Sequence, residues 1–265
     1  MRRITGIGQY VPVDSPVHRL DAAAKIGIVA AFTAGLFLVG DFAGLAVMAA
    51  CVALITAMSR VPPRAIARGL GAVGFFLAFT VLANALRISP ATEALLRLGP
   101  VAVDAAGLRT GVFFAARIVL LVTGTSLLTL TTSPIELTGG IERALGPLKL
   151  LRVPVGDLAM TLTIALRFIP TTAEEAYRIM TAQQARGASF DRGGPVARAR
   201  AYAPVLVPLF YQLFRRADAL ATAMEARCYQ GTEGRTRLND ARMHTADWAT
   251  LLVVGAVLVA VGWVL

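Results

Sequence analysis

Apolar residues are concentrated in five runs along the chain, and one long charged block separates the fourth run from the fifth. A membrane-spanning helix needs about 20 mainly apolar residues to cross a hydrocarbon core of about 30 Å. The first and last runs are shorter, so flanking residues must extend them or neighbouring helices must shield their ends. The pattern predicts an all-α membrane protein with about five transmembrane helices. The runs cover residues 26–40, 42–58, 70–86, 111–132 and 251–265, the last starting near residue 248.

The charged block divides into three predicted amphipathic helices. The first begins at Ser133, because serine caps a helix and the proline that follows is tolerated in the first turn. The second covers about residues 155–186 and the third about residues 196–228, and the second carries an apolar face at helical spacing. We therefore divide the chain into an N-terminal membrane region, a cytoplasmic or interfacial block and a C-terminal transmembrane helix. Their bounds are 1–132, 133–247 and 248–265.

Three prolines lie inside the second and third of these helices. Pro170 removes one backbone hydrogen bond, so we expect a kink there. Pro204 and Pro208 fall within an apolar run, residues 203–213, that is too short to span a bilayer and too apolar to lie bare in water. We expect this run at the membrane interface, packed against a membrane partner.

The basic residues predict the orientation in the membrane, because cytoplasmic loops carry an excess of lysine and arginine. With the N-terminus in the cytoplasm, segments 1–25, 60–69 and 133–247 are cytoplasmic and hold 22 of the 26 basic residues. The opposite orientation leaves four inside. We expect a multi-pass protein of a prokaryotic cell membrane, with a cytoplasmic N-terminus and an external C-terminus.

The composition supports a membrane protein and narrows its chemistry. Hydrophobic residues make up 56% of the chain and charged residues 16%, whereas a soluble domain carries about 25% charge. The net charge of +10 is typical of cytoplasmic arginines in a membrane protein, so we expect lipid and no nucleic acid as a partner. Cys51 and Cys228 lie too far apart to indicate a disulfide framework or a zinc site. No cofactor or metal is expected.

One six-residue pattern, T-A-x-x-A-R, occurs twice in the charged block. It ends at Arg186 and at Arg227, and Gly187 and Cys228 follow. Each copy closes a predicted helix that begins apolar and becomes polar. An arginine at a helix C-terminus is favoured by the helix dipole, which explains one copy. Two copies in equivalent positions indicate a pair of helix ends that dock into a partner made of two similar subunits.

The sequence offers little for catalysis. A phosphate-binding loop of the form G-x-x-x-x-G-K-[ST] needs a glycine before a lysine, and neither lysine of the chain follows a glycine. Glu174 and Glu175 point about 100° apart on a helix, and Arg178 is within reach, so we expect a solvated helix face there. We expect a non-enzymatic protein that takes the energy for any active transport from a partner.

Two polar side chains lie within the predicted spans. Arg117 is near the middle of the fourth run, where an unpaired charge costs several kcal/mol. It is either a structural charge with a partner within the chain, for which Asn84 is a candidate, or one that snorkels toward the membrane surface, or it contacts another protein.

Several stretches resemble one family. The N-terminal H-R-L-D followed by Lys25 is similar to its H-x-L-D-P-R-x-K, although two alanines replace the proline and arginine. The most specific stretch is A-L-R-F-I-P followed by A-Q-Q-A-R-G. The matching stretches are residues 18–21, 133–137, 140–142, 147–149, 165–170, 182–187 and 226–228. They resemble the transmembrane T component of energy-coupling factor (ECF) transporters, which are ABC-type importers of vitamins and metal ions. The long form with R-F-I-P is more similar to the shared type than to a dedicated one.

This resemblance implies a mechanism and a set of partners. In the family, two crossed coupling helices dock their arginine-tipped ends on two ATPase subunits, and apolar faces of the same helices hold a small membrane S component that binds the substrate. ATP-driven closure would change the crossing and reorient the S component. Carried to this chain, the docking residues are Ala185, Arg186, Gly187, Ala226, Arg227 and Cys228. The S-component contact residues are Pro170, Pro204, Pro208, Leu209, Phe210 and Leu213.

Two alternatives stay open at the level of sequence. A conventional ABC permease would line its own substrate pathway, and the dipeptide Glu175-Ala176 faintly resembles its cytoplasmic motif. One long cytoplasmic block and a doubled arginine motif argue against it. An intramembrane enzyme would need polar catalytic groups within the spans, where we find Asn84, Arg117 and scattered serines and threonines.

Overall fold

The structure, a computed structural model, describes residues 10–87, 94–98, 101–146, 153–190, 194–231 and 245–264. The chain forms two compact units, residues 1–147 with 241–265, and residues 148–240. In the first unit the helices are α1 (Pro16–Arg19), α2 (Ala22–Leu38), α3 (Phe42–Ser59), α4 (Pro63–Ala85), α5 (Ala105–Thr131), α6 (Pro134–Ala144) and α9 (Thr245–Val264). In the second unit they are α7 (Val155–Ala185) and α8 (Pro195–Ala226).

Helix α5 is central to the first unit. It packs against α2, α3 and α4, while α2 also contacts α6 and α9. The main core of this unit is a cluster of apolar side chains, because these helices meet on faces rich in leucine, valine and phenylalanine, and burying such side chains stabilises each by about 1.5–3 kcal/mol. Its most buried members include Leu36, Met48, Val39 and Leu130.

The helices agree with the predicted apolar runs, and the all-α class holds. Among the described residues, α3 and α5 are long and apolar enough to cross a membrane. Helix α4 is a further candidate, bent by 57° between Gly71 and Val73. The apolar helices Ala22–Leu38 and Asp247–Ala256 are shorter, as expected for the first and last runs. The five-span layout stays a prediction.

One feature that the sequence did not predict lies between α4 and α5. A small antiparallel sheet joins β1 (Leu86–Arg87), β2 (Ala94–Leu98) and β3 (Val101–Asp104) in the order β1-β3-β2. These strands of two to five residues are too short for an alternating pattern to be distinguished in the sequence.

Two glycines allow helices of the first unit to approach closely. A Cβ on Gly107 of α5 would lie 2.3 Å from the backbone carbonyl oxygen of Asn84 in α4. A Cβ on Gly140 of α6 would lie 2.8 Å from the Cβ of Ala22 in α2. Because real atoms do not approach so closely, any side chain at either position must push two backbones apart.

Local signals set the start of α6 as predicted. The Ser133 hydroxyl accepts a hydrogen bond from the backbone N–H of Glu136 at 3.3 Å, and the Glu136 carboxylate accepts one from the backbone N–H of Ser133 at 3.1 Å. This reciprocal capping box satisfies two backbone donors that the first turn cannot pair. In the second unit, α7 continues through Pro170 and α8 through Pro204 and Pro208.

Candidate coupling helices and docking ends

The C-terminal end of α7 is a Schellman turn. Gly187 has a φ of +91°, in the left-handed region that favours glycine. Its N–H donates to the Gln184 carbonyl at 2.9 Å, and the N–H of Ala188 donates to the Gln183 carbonyl at 3.0 Å. The chain thus leaves the helix directly after Arg186, whose side chain is exposed.

The C-terminal end of α8 repeats this turn with a different residue in the left-handed position. Cys228 has a φ of +54°. Its N–H donates to the Glu225 carbonyl at 2.9 Å, and the N–H of Tyr229 donates to the Met224 carbonyl at 3.0 Å. Arg227 occupies the same last position as its counterpart in α7 and is also exposed. A non-glycine residue in this conformation costs about 1–2 kcal/mol.

The repeated threonines are also equivalent in structure. The Thr181 hydroxyl donates to the Tyr177 carbonyl, and the Thr222 hydroxyl donates to the Asp218 carbonyl, each one turn back at 2.9 Å. The two copies of the sequence pattern are therefore two copies of one local structure. Each presents a cation beside the unpaired carbonyls of a helix end, where the helix dipole favours it.

Helices α7 and α8 are joined by an ion pair that corrects part of the sequence interpretation. Glu174 lies on a solvated face and faces Arg178 at 4.0 Å, as expected. Glu175 instead turns inward and accepts a hydrogen bond from Arg216 of α8. Periodicity could not reveal this contact, because it depends on how two helices cross.

A cleft of about 890 Å³ lies beside the α8 end within the second unit. Met160 and Arg167 of α7 line one wall, and Met224 and Arg227 of α8 line the other. Flexible thioethers suit a surface that adapts to a partner. Arg227 is thus part of the lining of a partly apolar cleft.

The apolar run of α8 exposes large side chains. Val207 is 71% exposed, Phe214 68% and Phe210 54%. Of the residues predicted to contact the S component, Pro170, Pro204 and Phe210 are exposed, while Pro208, Leu209 and Leu213 are half-buried. The sequence interpretation omitted Val207 and Phe214, although both lie in or next to the run. An exposed apolar surface of this kind marks a site of interaction with protein or membrane.

Arg117 finds partners within the first unit, although its buried Nε has no hydrogen-bond partner among the described residues. Its guanidinium donates to the Val39 carbonyl at the C-terminal end of α2 and lies over the Phe113 ring, 4.7 Å from the ring centre. Asn84, the suggested partner, donates instead to the Thr80 carbonyl in its own helix at 2.8 Å. A cation at the end of α2 is favoured by that helix's dipole. Arg117 is therefore level with the end of a short helix.

Comparison with known proteins places these features in a family. Residues 14–238 match the family described as "Cobalt transport protein" (CbiQ). The chain is 47% identical over 262 residues to the energy-coupling factor transporter transmembrane protein EcfT of Thermosediminibacter oceani, covering 99% of this chain and 97% of the relative. It is 48% identical over 248 residues to EcfT of Thermanaerovibrio acidaminovorans, covering 92% and 90%. The chain belongs to the EcfT family. It is a membrane protein that takes part in transport.

The N-terminal stretch by which the chain resembles ECF T components forms a polar cluster in the first unit. The Lys25 ammonium donates to the carbonyls of His18 at 3.0 Å and Thr131 at 3.1 Å. Asp21 caps α2 and pairs with Arg143 of α6. The stretch therefore joins the N-terminal segment, α2, α5 and α6, and a buried network of this kind holds only when each member is paired.

Proposed function

We propose that this chain is the coupling subunit of an ECF importer. It transmits ATP-driven motion from two ABC-type ATPase subunits to a small membrane S component, which binds the vitamin or metal ion. The chain itself performs no catalysis. It lies in a prokaryotic cell membrane with its N-terminus in the cytoplasm.

One observation carries this proposal: the two arginine-bearing helix ends have the same turn, the same hydrogen bonds and the same exposed cation. A pair of equivalent ends suits a pair of similar pockets, as a dimeric ATPase provides. The names of the EcfT relatives state that those proteins belong to energy-coupling factor transporters. The docking residues are Ala185, Arg186 and Gly187 on α7 and Ala226, Arg227 and Cys228 on α8.

The exposed apolar surface of α8 supports contact with an S component. Phe210 and the flanking Val207 and Phe214 would be unfavourable in water. A membrane protein laid across the surface would remove them from water, while the arginine ends remain free for the ATPases. The S component, having its own binding site, would choose the substrate.

The test is co-purification from the native membrane in mild detergent. Replacing Arg186 and Arg227 together with alanine should leave membrane insertion intact and abolish recovery of the ATPases. Each arginine should contribute about 2–5 kcal/mol, part of it from partner groups left unpaired. The matched control replaces Arg178 and Arg198, two exposed arginines that lie before the helix ends, and should retain the ATPases.

The composition of the recovered complex separates the remaining possibilities. Two ATPase subunits with one or more small membrane proteins would support the proposal, and the small proteins would indicate the substrates. ATPases without a small membrane protein would favour a conventional permease. Normal ATPase recovery by the double arginine variant would refute docking through these ends.

A further inference from the structure

The internal repeat extends beyond the six-residue pattern. The arginines at the ends of α7 and α8 are 41 positions apart, and so are the two members of the interhelical ion pair. At this offset Glu174 and Glu175 correspond to Arg215 and Arg216, and an alanine follows in both copies. The two helices are also nearly equal in length, with 31 and 32 residues. The second unit therefore carries two similar helices in which the paired glutamates of the first are arginines in the second.

The Glu175–Arg216 contact joins equivalent positions of the two copies. When two equivalent helices cross at the same position along each chain, a local two-fold axis that relates them passes through the crossing point. Each docking arginine lies 11 residues beyond it, which corresponds to an arm of about 16 Å at 1.5 Å per residue. The two docking ends are thus equidistant from one point.

The opposite charges make this contact specific. Equivalent positions carrying the same charge would repel each other across the axis, whereas the glutamate and arginine attract. A slide of one helix by a single turn, about 5.4 Å, would separate them. The neighbouring charges do not compete, since Glu174 faces Arg178 on its own helix and Arg215 lies over Tyr211 on its own. The pair therefore sets the register of the crossing.

The environment of the pair keeps it largely out of water, although one carboxylate oxygen, Oε2 of Glu175, is buried with no hydrogen-bond partner in the part of the chain that the structure describes. The Arg216 side chain is 27% exposed and that of Glu175 24%, so both are largely removed from water. Arg216 also donates to the Thr171 hydroxyl at 3.4 Å, and its guanidinium lies over the Phe168 ring at 5.4 Å. Removing one member would leave the other charge half-buried and unpaired, which is more costly than losing a surface ion pair.

We propose that the Glu175–Arg216 pair is the pivot about which α7 and α8 change their crossing angle. This rests on the proposed function, and it assigns a positioning role to two residues outside the docking ends. A pair held at one point fixes the register and leaves the angle free. With arms of about 16 Å, a rotation of 10° moves each docking arginine by roughly 3 Å. Both ends then move equally, as a symmetric closure of two ATPases requires.

The experiment measures the distance between spin labels on the two helices in the intact complex, isolated with its own ATPases from the native membrane. The labels are attached through a ketone-bearing unnatural amino acid introduced in place of Thr181 and Thr222, which are equivalent and exposed, so that both native cysteines, including the docking residue Cys228, stay in place. Distances are recorded without nucleotide and with ATP trapped by vanadate. The parent protein should give a narrow distribution that shifts by several Å, in line with the arm length.

Four variants test the pivot. Glu175→Gln, Glu175→Arg and Arg216→Glu should each broaden the distribution and lose the nucleotide-dependent shift. The exchange Glu175→Arg with Arg216→Glu should recover both, because the attraction is restored with its sign reversed. The matched exchange Glu174→Arg with Arg215→Glu alters the same charges one residue away and should leave the shift unchanged.

The result can overturn the pivot without affecting the docking proposal. A normal shift in the three single variants would refute it, and so would a folded exchange variant that lacks the shift. Broadening that the control exchange reproduces would also refute it. If no ATPase accompanies the parent protein, the proposed function fails instead, and that outcome is visible before any label is read.

Discussion

The residue in the left-handed conformation at each proposed docking end gives a testable prediction. A substitution at Gly187 should weaken ATPase association, and one at Cys228 should strengthen it. Gly187 has a φ of +91°, and a Cβ there would meet nothing within 4 Å, so any penalty comes from the backbone conformation alone. Alanine in the left-handed region costs about 1–2 kcal/mol. If the turn must be kept on binding, Gly187→Ala should weaken ATPase association by a factor of about 5–30.

The same reasoning predicts a gain at the other end. Cys228 already occupies the left-handed region at a φ of +54°. Cys228→Gly relieves that strain while the Schellman hydrogen bonds stay, so association should become stronger by up to about tenfold, the equivalent of 1.4 kcal/mol. The control is Gly194→Ala at the start of α8, where φ is −72° and nothing lies within 4 Å of the added Cβ.

The assay is the dissociation constant of the purified chain, in lipid nanodiscs, for its ATPase subunits at constant salt. Circular dichroism checks that total helix content is unchanged. Equal affinities for the parent, Gly187→Ala and Cys228→Gly proteins would refute the view that these turns aim the arginines. Equal weakening by Gly187→Ala and the Gly194→Ala control would trace the effect to loss of a glycine in general.

Two further predictions concern helix contacts in the first unit. Gly107→Ala should lower the thermal unfolding temperature of the detergent-solubilised protein, because the added Cβ would lie 2.3 Å from a backbone oxygen of α4. The control Gly74→Ala adds a Cβ with nothing within 4 Å and should leave the unfolding temperature unchanged. Equal unfolding temperatures for the two variants would contradict the close approach of α5 and α4. Gly140→Ala should displace α6 from α2 and increase proteolysis of the following segment, while the adjacent Gly139→Ala, with nothing within 4 Å, should behave as the parent. Equal proteolysis of that segment in both variants would show that the contact with α2 does not hold α6 in place.

Much of the architecture follows from signals that act over a few residues. Apolar runs, the Ser133 cap and Gly187 each act through local hydrogen bonds or through burial on one helix face, so the sequence predicted the helices to within a few residues at many ends. The repeated arginine motif likewise indicated two equivalent helix ends. The short sheet between α4 and α5 could not be predicted from the sequence, because two to five residues per strand are too few to show an alternating pattern.

The tertiary structure decided which distant polar groups meet. The sequence predicts a solvated face for Glu175, yet this residue pairs with Arg216 of the next helix. The sequence offers Asn84 as a candidate partner for Arg117, yet the Arg117 guanidinium donates to a carbonyl at the end of α2. A single helix specifies where a side chain points and leaves open what lies opposite, since crossing points depend on the packing of whole faces. The sequence by itself therefore determined the helices and their arginine-bearing ends, and only the fold determined the contacts that join one helix to another.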